Sequence, residues 1–176
     1  MAAHKRVGLV QVYTGDGKGK TTAALGLALR AAGHGLRTYI GQFLKGRPTG
    51  ELKAARLLES YLTIEQFGEA SFVPTRGDAR QAALVRQGVQ RIRQVLASGE
   101  YDIIVLEEIN VALDLELISL QEVLTLLEER PSEVEVVLTG RGAPQELISR
   151  ADLVTEMVAV KHPYQQGVKA RLGIEF

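Results

Sequence analysis

The residues most able to do chemistry lie between Thr14 and Thr22, in the stretch TGDGKGKTT. Its three glycines allow consecutive backbone N–H groups to turn towards one anion, and a helix beginning there adds its partial positive charge. We expect Lys20 to reach phosphate oxygens and the hydroxyl of Thr21 to bind Mg²⁺. The strict phosphate-loop pattern has a glycine five positions before Gly19, and in this chain that position is Thr14. We interpret the stretch as a triphosphate-binding loop.

The rest of this loop is also expected to contact the nucleotide. Gly15 and Gly17 supply the turn, and Lys18 adds a cation that the basic pattern does not require. The alternative is a glycine-rich turn that binds nothing, which two lysines ahead of paired threonines disfavour. The complete set of candidate contacts is Gly15, Asp16, Gly17, Lys18, Gly19, Lys20, Thr21 and Thr22.

Three further groups of polar residues directly follow hydrophobic runs that we interpret as strands. They are Gln42 to Lys45, Glu107 with Glu108, and Thr139 to Arg141. In an open parallel sheet, ligands bind beyond the carboxyl ends of the strands. We therefore expect these groups and the glycine-rich loop to line one crevice, with Gln42, Lys45 and Glu108 as further ligand contacts.

The charged residues of this crevice have candidate roles. Glu107 stands where phosphate-loop enzymes usually have the acidic residue that organises Mg²⁺; an aspartate is commoner there, and direct or water-mediated ligation are both open. Glu108 is equally compatible with a solvated strand end and with a functional carboxylate. Arg141 has the planar fork that suits phosphate oxygens, or it is a surface turn residue. The three histidines are scattered and have no metal-ligand spacing.

Composition narrows the class of protein. The chain has 176 residues, enough for one domain with a sizeable core, and we expect residues 1–176 to form that single domain. Its 21 basic and 21 acidic residues balance, which disfavours nucleic acid and anionic membranes as partners. It contains no cysteine, so thiolate catalysis and disulfides are excluded. No secretion signal or membrane-spanning run is recognisable, and the cytoplasm is the expected location.

Hydrophobic runs alternate with helical patterns, which predicts a parallel sheet covered by helices on both faces. We predict a three-layer αβα arrangement, with a mostly parallel sheet of about six strands, of the P-loop NTPase (RecA-like) type. Ser119 and Glu122 form a capping box ahead of one helix, and Gly33 is expected to be a left-handed C-cap. Predicted strands are 7–12, 36–43, 62–67, 101–106, 134–138 and 153–160, and predicted helices are 22–32, 51–61, 78–97, 119–128 and 144–150.

The combination of motifs resembles the ATP:corrinoid adenosyltransferases of the phosphate-loop type. The matching segments span nearly the whole chain, and together they are far more specific than the phosphate loop alone. They are TGDGKGKTT (14–22), QFLK (42–45), EEINVAL (107–113), TGR (139–141), ADLVTE (151–156), KHP (161–163) and GVKARLGIEF (167–176).

The resemblance implies transfer of the 5′-deoxyadenosyl group of ATP to Co(I) of a corrinoid, with release of triphosphate and Mg²⁺ or Mn²⁺ as the metal. It also implies that ATP lies reversed in the loop relative to ordinary ATPases. Co(I) is a nucleophile without a proton, so this reaction needs no general base. Catalysis then consists of holding ATP in line and stabilising charge on the leaving triphosphate, for which Lys20 and Arg141 are the candidate catalytic residues.

The resemblance further implies an aromatic side chain that displaces the lower axial ligand of cobalt. Phe72 is the candidate, and Phe67 is interpreted as the end of a strand. Relatives often carry a tryptophan in this segment, and this chain has none. A flavoprotein reductant and a homodimer are also implied. The alternatives are a P-loop ATPase or small-molecule kinase and, disfavoured by the charge balance, a nucleotide-gated nucleic-acid-binding module.

Overall fold

One six-stranded parallel sheet organises the part of the chain that the computed structural model describes, residues 6–70 and 75–175. Its strands are β1 (Val10–Thr14), β2 (Thr38–Phe43), β3 (Leu62–Phe67), β4 (Ile103–Glu107), β5 (Glu135–Thr139) and β6 (Leu153–Glu156). Their spatial order is β3-β2-β4-β5-β1-β6, and every pairing is parallel. This confirms the predicted parallel α/β sheet.

Helices cover both faces of this sheet. They are α1 (Lys20–Ala32), α2 (Gly50–Ala55), α3 (Ala79–Ser98), α4 (Ile109–Asp114), α5 (Leu120–Glu128) and α6 (Gln145–Arg150), and 3₁₀ turns lie at Arg56–Leu58 and Pro163–Gln166. Within the described ranges, no helix is both long and apolar enough to cross a bilayer.

The three layers follow from the alternation of side chains along the strands. Ile104 and Leu106 of β4 are buried in a cluster with residues of α3, α4 and α5. Their neighbours Ile103 and Val105 are buried on the opposite face, in a second cluster with α1 and α2. Each central strand is therefore apolar on both faces, as expected of a strand enclosed between helices.

Helix α1 packs on the sheet through small side chains. Ala24, Ala28 and Ala31 recur at helical spacing and are buried. Leu29, on another face of the helix, is 62% exposed. Only the alanine face of α1 is therefore covered. Leu25 and Leu29 instead line a cleft beside the phosphate loop.

The prediction that Gly33 is a left-handed C-cap is wrong. Gly33 has φ of −62°, and the positive φ of 75° lies two residues later, at Gly35. The N–H of Gly33 still donates to the carbonyl of Leu29, and His34 donates to Ala31. The chain keeps a right-handed turn until Gly35, where the absence of a side chain permits the reversal.

Other element boundaries differ from the sequence prediction. The predicted helix 51–61 ends at Ala55 and continues as a 3₁₀ turn, and the predicted strand 153–160 ends at Glu156. This last strand lies at the sheet edge with all four residues exposed, so few contacts extend it. Helix α4 was not predicted. The capping box is confirmed, because Ser119 and Glu122 exchange both hydrogen bonds.

Candidate active site

The phosphate loop joins the end of β1 at Thr14 to the start of α1 at Lys20. Gly15 and Gly19 have φ of 90° and 127°, a region that residues with side chains rarely adopt. Gly17 is required for another reason: its N–H donates to the carbonyl of Met157 at 2.6 Å, and a Cβ there would lie 2.6 Å from the same oxygen. The loop is thus a tight strand-to-helix turn that requires glycine at these three positions.

Lys20 folds back over this loop. Its Nζ donates to the carbonyl oxygens of Gly15 at 2.5 Å and Gly17 at 2.7 Å. Burial lowers the pKa of the Lys20 ammonium, an effect that Glu108 opposes and Arg141 reinforces. A phosphate group offers this ammonium a charged acceptor in place of two neutral carbonyls, so the lysine is prepared to bind an anion.

Glu107 lies at the end of β4 and meets the first turn of α1. One of its oxygens, Oε1, accepts from the hydroxyl of Thr21 at 2.5 Å and from the Nζ of Lys45 at 2.6 Å. The side chain is only 1% exposed. Its second oxygen, Oε2, is buried and has no hydrogen-bond partner in the described residues. A buried carboxylate oxygen without a partner is costly unless a ligand satisfies it.

The donor set around Glu107 suits a magnesium ion held together with phosphate. Hydroxyl and carboxylate oxygens are hard ligands, and Mg²⁺ is commonly bound by one or two protein groups plus substrate phosphates. Among the described residues, no cluster of three or more histidines and carboxylates could hold a metal ion alone. The unpartnered Oε2 of Glu107, next to Thr21, therefore fits a metal that arrives with the nucleotide.

Glu108 follows Glu107 but faces a different environment. Its backbone is left-handed, with φ of 64°, and caps the start of α4. Burial and the negative charge of Glu107 raise the pKa of the Glu108 carboxyl, while Lys45, Lys20 and Arg141 act in the opposite direction. Glu108 is thus a partly buried carboxyl among three cations, and a simple solvated strand end is not its environment.

Arg141 lies in the turn after β5, between Gly140 and Gly142, which have φ of 132° and 68°. The side chain amide of Asn110 donates to the carbonyl of Gly140 at 3.2 Å and anchors the turn to α4. Arg141 is exposed and borders a cleft of about 830 Å³. Lys18, Lys20, Lys45 and Glu108 border the same cleft.

Two clefts meet at the phosphate loop. The second, of about 550 Å³, lies between α1 and α2 and combines the apolar side chains of Leu25, Leu29 and Leu58 with loop residues from Gly17 to Thr22. Lys45 and Glu108 border both clefts. The crevice expected at the carboxyl edge of the sheet therefore contains the loop, Lys45, Glu108 and Arg141 together.

Gln42 occupies a supporting position. It is buried at the end of β2, where its amide donates to Glu51 at 3.1 Å and accepts from Gln66 at 3.0 Å. Both ends of the amide are thus engaged within the protein, and its contact with ligand would be indirect. Phe72 lies outside the described residues.

Two carboxylates near the loop were missed by sequence reasoning. Glu51 lies 3.9 Å from Lys45, at the start of α2. The sequence pattern indicated only a helix at this position. Glu175 pairs with Lys18 at 3.0 Å, so the tail of the chain passes over the phosphate loop. The only sequence signal for Glu175 is its place in a matching tail segment, and for Glu51 there is none.

Comparison with known proteins identifies the family. Residues 6–176 match the family described as ATP:corrinoid adenosyltransferase BtuR/CobO/CobP. The chain belongs to the ATP:corrinoid adenosyltransferase family. This match includes every segment that lines the two clefts, and it confirms the resemblance read from the sequence motifs.

Curated members of the adenosyltransferase family are similar over most of their length. A corrinoid adenosyltransferase of Sinorhizobium sp is 40% identical over 96% of this chain and 80% of its own. A corrinoid adenosyltransferase of Salmonella typhimurium is 37% identical over 99% of this chain and 88% of its own. The flagellar accessory protein FlaH of Methanocaldococcus jannaschii, at 11% identity and a TM-score of 0.60, covers 86% of this chain and 71% of its own and shares the fold alone.

Proposed function

We propose that this chain transfers the 5′-deoxyadenosyl group of ATP to Co(I) of a corrinoid, either cobalamin or a precursor, and releases triphosphate. The observation that carries the proposal is the family match over residues 6–176, which takes in the phosphate loop and all strand-end segments beside it. The chemistry of the crevice supports it, because cations rather than a nucleophile and base dominate the site.

In this mechanism the protein positions ATP and stabilises its leaving group. The reduced cobalt attacks C5′ of the ribose and forms the cobalt–carbon bond, while the C5′–oxygen bond breaks and its electron pair leaves with triphosphate. The loop amides and Lys20 would neutralise that charge, and Arg141, which borders the same cleft, would contribute to this neutralisation. The nucleophile carries no proton, so no residue has to remove one.

The proposed metal site comprises Thr21 and Glu107, with Mg²⁺ as the metal and Mn²⁺ as its substitute. When bound there with ATP, the metal would add positive charge next to the triphosphate oxygens. The hydroxyl of Thr21 and the unpartnered Oε2 of Glu107 would hold it. Both groups come from rigid elements, the end of β4 and the first turn of α1, which fixes their backbone positions.

A phosphate-loop ATPase or small-molecule kinase is the second candidate, and Glu108 favours it. Burial raises the pKa of the Glu108 carboxyl, and a carboxylate with a raised pKa is a stronger base towards an attacking water or hydroxyl group. The two functions differ in their products. The adenosyltransferase yields intact triphosphate, whereas hydrolysis or phosphoryl transfer separates the γ-phosphorus.

Incubation of the protein with ATP, Mg²⁺ and chemically reduced cobalamin under anaerobic conditions tests the proposal. We expect the absorption spectrum of a cobalt–carbon bond to develop, with one tripolyphosphate formed per adenosylated corrinoid. Omission of the corrinoid should abolish tripolyphosphate. Release of orthophosphate and ADP at the same rate with and without the corrinoid would support the ATPase instead.

We further propose that the protein acts in the cytoplasm as a homodimer, and that a flavoprotein reduces the Co(II) corrinoid to the Co(I) form that reacts. The exposed edge strand β6, with Leu153 and Val154 at 42% and 40% exposure, supports association of two copies. Light scattering after gel filtration measures the oligomeric state. A monomer at micromolar concentration would contradict the dimer without affecting the proposed reaction.

A further inference from the structure

Lys45 lies between two carboxylates at the edge of the nucleotide crevice. Its Nζ is 2.6 Å from Oε1 of Glu107 and 3.9 Å from Oε1 of Glu51. The Glu107 side chain is 1% exposed, that of Glu51 is 14% exposed, and that of Lys45 is 29% exposed. The ammonium group is therefore bonded to one carboxylate and close to a second.

The Lys45 ammonium competes with a divalent cation for Glu107. Lys45 and Thr21 both donate to the same oxygen of Glu107, and it is Thr21 that would share the metal with this carboxylate. Two positive charges on one buried carboxylate repel each other strongly, because the surrounding protein screens them less than water does. A metal bound to the free Oε2 of Glu107 would thus lie close to the Lys45 ammonium on Oε1, and repulsion between the two cations favours a move of Lys45 away from Glu107.

Glu51 is held in place to accept the displaced ammonium. Gln42 donates to its Oε1 at 3.1 Å, and Gln66 in turn donates to Gln42 at 3.0 Å. Burial raises the pKa of the Glu51 carboxyl, but hydrogen bonds from its own backbone N–H and from Gln42, together with the charge of Lys45, lower it further than burial raises it. Glu51 is consequently an anion with a fixed orientation.

The backbone at Lys45 is fixed, so that only its side chain is free to change partner. Leu44 has φ of 59°, and a Cβ on Gly68 would lie 2.4 Å from the backbone nitrogen of Lys45. The turn after β2 is therefore packed directly against the turn after β3. From this fixed point, a rotation of the lysine side chain can bring Nζ from Glu107 to Glu51.

We propose that Glu51 is a positioning residue that receives Lys45 from Glu107 when a divalent cation enters with ATP. This inference rests on the proposed metal role of Glu107. Lys45 occupies the metal-binding carboxylate when no metal is present, and Glu51 stabilises the lysine once the metal has displaced it. The lysine remains in the crevice in both positions, so its charge stays available to the nucleotide.

Calorimetric titration of the whole protein with ATP, in excess Mg²⁺ and in excess EDTA, tests this role without turnover. The ratio of the two dissociation constants, EDTA over Mg²⁺, is the magnesium preference. Glu51→Gln keeps the side chain shape and should lower this preference roughly tenfold, within the range found for interacting neighbours. Binding in EDTA should not weaken. The exposed Glu59→Gln is the charge-matched control, with a change below about twofold.

The same titrations in a Lys45→Met background distinguish two explanations. In one, Glu51 binds Lys45 after it leaves Glu107; in the other, Glu51 acts on the metal only through its negative charge. Without Lys45, Glu51 has no ammonium group to bind, so Glu51→Gln should leave the magnesium preference unchanged. If Glu51→Gln lowers the preference as much in this background, Glu51 acts only through its negative charge and the inference is overturned. Unchanged preference in the single variant Glu51→Gln overturns it as well.

Glu107→Gln separates the failure of this inference from the failure of the metal assignment. If Glu107→Gln loses the magnesium preference and Glu51→Gln does not change it, the metal assignment stands. The role of Glu51 in binding the displaced Lys45 is then discarded. An unchanged preference in Glu107→Gln would discard both. Thermal melting of each variant checks that the fold is retained, and Lys45→Met provides an independent reading, since it should raise the preference.

Discussion

Replacement of Lys20 by alanine should separate catalysis from folding. In the described structure, Lys20 donates only to carbonyls of its own loop, and burial lowers the pKa of its ammonium. A lowered pKa means that the folded protein disfavours the charged form of this lysine relative to water. We therefore expect Lys20→Ala to leave the melting temperature nearly unchanged or slightly raised.

Turnover should respond very differently. Removing one preorganised donor from developing negative charge typically reduces kcat by about 100-fold to 1,000-fold, or ~2.7 to 4 kcal/mol of transition-state stabilisation. Lys20 is the buried cation of the phosphate loop, so we expect the loss to reach at least this range. Because the charge develops on the leaving triphosphate, the loss should appear mainly in kcat.

The assay is the growth of the cobalt–carbon absorption band with chemically reduced cobalamin, which makes the rate independent of any reductase. Lys53→Ala, a substitution in the last turn of α2, is the matched control and should retain normal turnover. The alkaline limb of kcat/KM for ATP should lie below the ordinary lysine pKa in the wild type, because burial lowers the pKa of Lys20. Turnover of Lys20→Ala within about threefold of the wild type would refute the role given to this lysine.

Four other substitutions test separate parts of the molecule. In α3, Gly88→Ala places a Cβ 2.6 Å from Phe43 and should lower the free energy of unfolding, measured by urea titration, by about 1–2 kcal/mol. In α1, nothing lies within 4 Å of a Cβ on Gly26, so Gly26→Ala should raise the free energy of unfolding by up to about 1 kcal/mol. A destabilised Gly26→Ala would contradict this packing argument. Thr21→Val should raise the Mg²⁺ concentration needed for half-maximal turnover, and an unchanged requirement would remove Thr21 from the metal site. Phe72→Ala should slow adenosylation from Co(II) corrinoid with a biological reductant more than adenosylation from prepared Co(I), and equal slowing in both assays would exclude Phe72 as the displacing aromatic.

Much of the fold could be predicted because its signals are local. The strand 62–67 was placed with the correct bounds, and the capping box at Ser119 was found from the spacing of two residues. Helix α4 was missed because six residues are too few to display helical periodicity. The helix starts after the left-handed backbone of Glu108, and glutamate rarely adopts this conformation, so the residue type does not predict it.

The candidate site could be predicted only in part. That Lys20, Glu107 and Arg141 approach one crevice follows from their positions after parallel strands. The contact between Lys45 and Glu107 joins residues 62 positions apart, through the pairing of β2 with β4. Sequence spacing could not reveal it, and it assigns Lys45 to a carboxylate where the motif alone indicated only a nucleotide contact.

The sequence by itself determined the chemistry of this protein: a glycine-rich loop with its lysine and threonine, an alternation of strands and helices, and a set of motifs typical of one family. The tertiary structure decided which charges meet. It brought Glu51, Lys45, Glu107 and Thr21 into one chain of contacts and left Oε2 of Glu107 without a partner. The physical reason is that backbone turns and hydrophobic alternation depend on neighbouring residues, whereas distances between charged groups depend on strand order and register across the whole sheet.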